Sequence, residues 1–185
     1  MKTSDKIVFL GDSLTANFKL LNQFANIINL GVGGDKTIEI LNRMDACYSH
    51  NPNKLFLLIG INDFLVNKKV WKFPEEIDIT KNYDLILNNL KTNLPNTQVY
   101  CISILPLGRN TFFNREEISS YNLGIKELNL EIKQLAEKYG YTYLDFHDNF
   151  ADYEGYLQSE FTLDGVHLTE AGYQHFLDLL RVIIC

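Results

Sequence analysis

The chain has little of what would staple it, anchor it or carry it onto nucleic acid. Its three cysteines, Cys47, Cys101 and Cys185, stand at unrelated spacings. An odd number without paired Cys or Cys/His spacing makes neither a disulfide framework nor a zinc pattern. Cys101 lies in an apolar run and reads as a core residue. Lys and Arg number 17 against 23 Asp and Glu, for a net charge of -6. That balance argues against a nucleic-acid partner, because neutralising phosphates takes clustered cations. The one compact basic cluster, Lys68, Lys69 and Lys72, reads as a solvated loop. No apolar run is long enough to span a membrane. Met1-Lys2-Thr3-Ser4-Asp5 leads straight into a strand, which leaves no room for a signal peptide, and a cytoplasmic location is the default expectation. Repeats, linkers and low-complexity segments are absent.

What is present is an ordinary globular composition, 46% hydrophobic and 22% charged. The 185 residues fit one domain covering 1–185, with a sizeable core. Five short apolar runs read as strands: Ile7 to Leu10, Asn26 to Leu30, Lys54 to Gly60, Val99 to Leu105 and Tyr141 to Phe146. Helical periodicity separates them. Leu14, Phe18, Leu21 and Ala25 mark a first helix. A second begins near Thr37 with Ile38, Leu41 and Met44 inward. A third runs from Ile79 to Leu94, closed by Pro95-Asn96. A long fourth carries Ile118 to Tyr139, opened by Asn114 and Glu117 at capping-box spacing and stopped by Gly140. A last one follows Thr169, with Tyr173, Phe176, Leu177 and Leu180 inward. Segment 64–78 reads as a loop or broken helix, and 147–163 shows no clear period. Alternating strands and helices predict an α/β three-layer sandwich with a parallel sheet in the flavodoxin-like order 2-1-3-4-5.

Polar clusters follow the first three strands: Gly11-Asp12-Ser13, Gly31-Val32-Gly33-Gly34-Asp35 and Gly60-Ile61-Asn62-Asp63. In this sheet all three lie at the carboxyl edge, where ligands bind. The glycine run lacks both the dinucleotide spacing and the P-loop Lys-Ser/Thr ending, so phosphate cradling is disfavoured. Ser13 sits on a strand-to-helix turn, where a helix N-cap and a nucleophile are both open readings. Asn62 suits a side-chain donor into a site or an Asx turn, the commoner fate of Asn after a strand. A serine nucleophile needs a histidine and an orienting carboxylate. His50 ends the second helix on the wrong edge, and His175 lies inside the last helix. Two candidates remain: His147, two residues after Asp145, and His167, three after Asp164 across a glycine turn. Spacing leaves both open. Asp12 and Asp35 read as structural groups that orient the turns.

Four ordered blocks now resemble the GDSL esterases and lipases, the SGNH hydrolases: Gly11-Asp12-Ser13-Leu14, Asn29-Leu30-Gly31 with Gly33-Gly34-Asp35, Gly60-Ile61-Asn62-Asp63, and Asp164-Gly165-Val166-His167. With Leu168-Thr169 and Gly172-Tyr173, the chain is most similar to the small acetylhydrolase-like members. The resemblance implies Ser13 as nucleophile, His167 as base and Asp164 as its orienter. It implies an oxyanion hole of the Ser13 and Gly31 N–H groups and the Asn62 amide. It also implies hydrolysis of short-chain, chiefly acetyl, esters, with no cofactor and no metal. Trp71, Leu107, Phe112 and Phe113 are the expected substrate walls, and Arg109 is a candidate contact for a polar or anionic part of the substrate. A sugar O-deacetylase or a thioesterase would use the same residues. A flavodoxin-like ligand-binding module is the non-enzymatic alternative. Oligomeric state is not legible.

Overall fold

β1 (Ile7–Gly11) is buried along its whole length, and its alternating side chains feed two separate cores. Val8 and Leu10 enter one with Leu55 and Leu57, while Ile7 and Phe9 enter the other with Phe56 and Leu58. A strand buried on both faces in this way needs covering layers above and below the sheet. The computed structural model describes residues 5–70, 76–109 and 115–184. It has β1, α1 (Ser13–Ala16), β2 (Ile27–Gly31), α2 (Thr37–Asn42), α3 (Met44–Tyr48), β3 (Lys54–Leu58) and α4 (Ile61–Asn67). Then come α5 (Ile79–Asn93), β4 (Gln98–Ile102), α6 (Arg115–Tyr139), β5 (Thr142–Leu144), α7 (His147–Phe150) and α8 (Glu170–Ile184). The sheet is parallel, in the order β2-β1-β3-β4-β5. This is the α/β sandwich and strand order expected from the sequence.

On one face, Tyr83, Ile86, Leu87 and Leu90 of α5 and Ile118, Ile125 and Ile132 of α6 cover the sheet. The other face is aromatic. Phe56 stacks between Phe9 at 4.6 Å and Tyr100 at 4.7 Å, a ladder across three strands, and Phe18, Phe150 and Phe176 close over it.

Several element boundaries differ from the sequence reading. The first helix ends at Ala16, and a 3₁₀ segment, Lys19–Gln23, replaces its continuation to Ala25. Leu14, Phe18 and Leu21 still reach the same core, so their spacing survives without a continuous helix. The second helix is broken at Arg43. Ile40 and Met44 are buried, and Ile38, expected inward, is 39% exposed. Residues 64–67, read as loop or broken helix, complete α4. That helix starts after Gly60, whose φ of +124° lets the chain turn directly out of β3.

β4 and β5 are shorter than the apolar runs suggest, for a polar reason. Beyond Ile102, Asn129 of α6 accepts the Ile104 N–H at 2.8 Å and donates to the Ile104 carbonyl at 2.9 Å. Asn122 does the same for Leu107, at 2.7 and 3.0 Å, and adds the Gly155 carbonyl at 3.0 Å. Two buried asparagines seven residues apart on one helix face thus stand in for a neighbouring strand. Ser103 Oγ accepts the Phe146 and His147 N–H groups and ends the β5 run. Gly140 closes α6 at φ +72°, and Thr169 Oγ1 accepts the Gly172 N–H at the start of α8, both as expected. Asn114 lies outside the described residues.

Replacing Asn122 with leucine takes the partners of the Leu107 N–H and the Gly155 carbonyl and leaves the Leu107 carbonyl only the Leu157 N–H, so unfolding free energy is expected to fall by about 3 kcal/mol. The exposed neighbour change Leu123→Ala is expected to stay within about 0.5 kcal/mol. Urea titration of both variants measures the contrast, and equal midpoints would remove this role for Asn122.

Candidate active site

The carboxyl ends of β1 and β2 lie under α1 with no room for side chains. A Cβ on Gly11 would stand 2.3 Å from the Leu58 carbonyl oxygen, and one on Gly31 2.1 Å from the Ala16 nitrogen. This contact lets α1 begin at Ser13, directly off β1. Asp12 caps the helix, its Oδ1 accepting the Leu14 N–H at 2.9 Å. The first-turn N–H of Ser13 is not the one that Asp12 takes.

Arg43 joins the strand ends. Its Nε pairs with Asp35 at 2.6 Å, while its guanidinium donates to the Leu30 carbonyl at 2.8 Å and the Gly11 carbonyl at 3.0 Å. One side chain therefore fixes β1, β2 and the glycine loop together. In that loop the Asp35 N–H closes a turn onto the Val32 carbonyl at 3.2 Å, with Gly34 at φ +81°. Asn62, one residue into α4, donates one amide hydrogen to the Asp35 carbonyl at 2.9 Å. Asp63 accepts the Thr37 N–H and hydroxyl, which couples α4 to the start of α2.

The fourth part is a self-locked turn before α8. Asp164 Oδ1 accepts the N–H groups of Val166 at 2.9 Å and His167 at 2.7 Å. Thr162 Oγ1 accepts the Gly165 N–H and donates to the His167 carbonyl. Within this turn Asp164 Oδ2 lies 2.7 Å from His167 Nδ1, and His167 Nε2 lies 3.0 Å from Ser13 Oγ. With Nδ1 protonated towards Asp164, Nε2 is the acceptor for the Ser13 hydroxyl. Burial works against ionising Asp164, but the bonds from the His167 ring and the two N–H groups outweigh it and lower its pKa.

Ser13, His167 and Asn62 share a cleft of about 500 Å³ with Gly33, Gly34, Lys36 and Val66. Gly31 is a correction. Its N–H is held by Asn29 Oδ1 at 2.9 Å, and Asn29 donates to the Thr15 carbonyl at 2.7 Å, so Gly31 braces the turn instead of facing the cleft. Gly33 and Gly34 occupy the place expected of it, and a Cβ on Gly33 would come 4.0 Å from Ser13 Cβ. Leu107 is a second correction. It is 1% exposed and lies with Asp12 on a water-sized void behind the site. Arg109 is a third, because it pairs with Asp152 and Glu154 and lies 4.1 Å over the Tyr156 ring, away from the cleft. Trp71, Phe112 and Phe113 lie outside the described residues.

His147 does not approach Ser13. It is 3% exposed, pairs with Asp148 at 3.0 Å instead of Asp145, and burial lowers its pKa. His175 stacks on Phe161. Asp12 and Asp35 serve the turns as expected. The roles of Arg43, Asn29, Asp63, Thr162 and Lys36 were not anticipated; Arg43 and Asp63 reach chain 32 and 26 residues away, whereas Asn29, Thr162 and Lys36 also act within a few residues of themselves.

A serine leaving a central strand, bonded to a His–Asp turn beside a glycine loop and an asparagine amide, is a hydrolase constellation. Residues 9–175 match the GDSL-like Lipase/Acylhydrolase family. The chain belongs to that family. It is therefore a carboxylic ester hydrolase, as the resemblance implied. No curated protein matches the chain. Among solved structures it is 29% identical to a protein from Streptococcus pneumonia provisionally named a platelet activating factor, over 100% of this chain and 86% of that one, TM-score 0.75. It is 22% identical to a GDSL-like lipase from Bacteroides thetaiotaomicron, over 100% and 89%, TM-score 0.80. It is 18% identical to an acetylxylan esterase from Geobacillus stearothermophilus, over 98% and 95%, TM-score 0.77.

The acylhydrolase site has one costly group beneath it. Asp12 is fully buried, its Oδ2 has no partner among the described residues, and burial pushes its pKa up to about 7, with Asp63 and Asp35 adding to the rise. A folded pKa above the unfolded one means that the folded state holds the proton longer. Stability from Asp12 is thus fully present below about pH 4 and lost as pH rises through about 7. Asp12→Asn keeps an acceptor for Leu14 and carries no charge. Its stability advantage over wild type is expected to grow from pH 4.5 to 8, reaching on the order of 2–4 kcal/mol. Urea unfolding at a series of pH values measures this, and a difference independent of pH would contradict it.

Proposed function

We propose that this acylhydrolase is a serine esterase that cleaves short-chain, chiefly acetyl, esters through an acyl-enzyme. The observation that carries the reading is the unbroken chain from Ser13 Oγ to His167 Nε2 at 3.0 Å and from His167 Nδ1 to Asp164 at 2.7 Å. Ser13 Oγ attacks the ester carbonyl while His167 Nε2 takes its proton, and Asp164 steadies the imidazolium that forms. Three donors meet the oxyanion: the Ser13 N–H, the Gly34 N–H and the Asn62 amide hydrogen not used by Asp35. Gly34 is preferred to Gly31 because Asn29 already holds the Gly31 N–H. His167 then gives its proton to the leaving alcohol. It next activates the water that attacks the acyl-enzyme, and Ser13 is released with the acid.

Two features support a small acyl group. Gly33 and Gly34 bring backbone, not side chains, to the cleft. The fold is also shared with acetyl xylan esterases. An O-acetylated carbohydrate is the natural substrate class to try beside simple esters.

Hydrolysis of 4-nitrophenyl esters from acetyl to decanoyl tests the reading, with kcat/KM expected to be highest for acetyl. Ser13→Ala and His167→Ala are expected to lower kcat by at least about a thousandfold, and Asn62→Ala by about 10²–10³. His147→Ala should stay within a few-fold of wild type. Full turnover by Ser13→Ala, or a larger loss from His147→Ala than from His167→Ala, would overturn the assignment.

A further inference from the structure

The Asp164–His167 turn shapes itself, but its internal bonds do not set where it stands against Ser13. Gly108 reaches it from outside. The Gly108 N–H donates to the Gly165 carbonyl at 2.8 Å. The approach leaves no room for a side chain, since a Cβ on Gly108 would stand 3.0 Å from both Gly165 Cα and Thr162 Cγ2. Gly165 lies inside the turn at φ +80°, and Thr162 closes the turn through its hydroxyl. The segment that carries Gly108 is itself held. Residues 104–108 are buried, and from α6 Asn129 grips Ile104 while Asn122 grips Leu107. The Leu107 carbonyl also accepts the Leu157 N–H at 3.1 Å. This segment borders both halves of the site: Leu105, Pro106 and Leu107 share a water-sized void with Val166 of the histidine turn and with Asp12 and Leu14 on either side of Ser13.

A buried segment packed between two turns passes its position to both, because close-packed interiors transmit strain. We infer that Gly108 is a positioning residue for the esterase reaction, whose side-chain-free contact with Gly165 sets the approach of His167 Nε2 to Ser13 Oγ. This rests on the esterase reading and adds a residue that acts through the histidine turn. A methyl group added at Gly108 has to push Gly165 or Thr162 aside by a few tenths of an ångström. Asp164 holds the Val166 and His167 N–H groups and the His167 ring, so the pair shifts as one body. The Asp164–His167 bond then survives, and the bond from His167 to Ser13 takes the displacement.

The test is hydrolysis of 4-nitrophenyl acetate by variants whose urea midpoints show them folded under assay conditions, where lost stability alone leaves kcat unchanged. Gly108→Ala is expected to lower kcat about tenfold, the scale of a sub-ångström misplacement of reacting groups. KM is expected to stay within about twofold, because acylation and deacylation both use His167 and fall together. Thr162→Ser keeps the hydroxyl but removes the methyl that the new Cβ would meet. The double variant Gly108→Ala/Thr162→Ser is therefore expected to recover part of the loss, standing about threefold below Thr162→Ser alone because the Gly165 contact remains. Wild-type kcat in Gly108→Ala, a change in KM alone, or a full tenfold loss in the double variant against Thr162→Ser overturns the inference. Where Gly108→Ala does not fold, the double variant carries the test, and a kcat equal to that of Thr162→Ser overturns it. Ser13→Ala separates the two levels: if it retains turnover, the esterase reading itself has failed, whereas an inactive Ser13→Ala beside a fully active Gly108→Ala removes only the positioning role.

Discussion

The site depends on one cation that never meets the substrate. Among the described residues, the Arg43 guanidinium is the only group that touches the β1 end, the β2 end and the glycine-loop acid together, through Gly11, Leu30 and Asp35. Asp35 in turn offers its carbonyl to Asn62, so the position of α4 is referred to the same anchor. Breaking a partly buried ion pair leaves a charge without compensation, which costs far more than the pair contributes when intact. The helix break at Arg43 fits this role, because the residue leaves helical geometry at φ -127° where its side chain is held on three sides.

The two histidine turns show why convergence, not the histidine itself, makes a site. Both His147 and His167 have a carboxylate partner near 3 Å. His147 is buried, its backbone N–H is held by Ser103 Oγ, and its Nε2 has no partner among the described residues. His167 is 46% exposed, and its turn is closed by its own Asp164 and Thr162 instead of by the core. A base that must exchange protons with substrate and water needs that access. Spacing left both histidines open and the family resemblance chose His167; the path of the chain after β5 supplies the physical reason.

Local chemistry was legible and remote chemistry was not. The Asp164 to His167 turn closes over three residues, so its geometry is written in its own sequence. The alternating strands announced the sheet order, which placed Ser13 and Asn62 on one edge. By contrast, Asn122 and Asn129 act on backbone 15 and 25 residues away, and Arg43 on a carbonyl 32 residues away. No periodicity marks such partners. The misassigned glycine has a local origin, a side chain two residues before it. Three glycines in four positions announce close approach, but which N–H stays available is decided by the Asn29 side chain. Boundary errors at the first helix and at β4 follow from tertiary hydrogen bonds that replace regular ones.

The distribution of charge around Ser13 completes the logic. Asp12, Asp35 and Asp63 all lie within the framework behind the cleft, and an oxyanion formed at the start of α1 would be repelled by each ionised carboxylate left without compensation. Asp35 is neutralised by Arg43, and Asp63 is surrounded by the Thr37 donors. Among the described residues Asp12 has only the Leu14 N–H, and it is the one whose pKa burial pushes up to about 7. Around neutral pH a large share of molecules thus carries a neutral group immediately behind the nucleophile. The acids build the turns without placing a full negative charge where the proposed reaction develops its own.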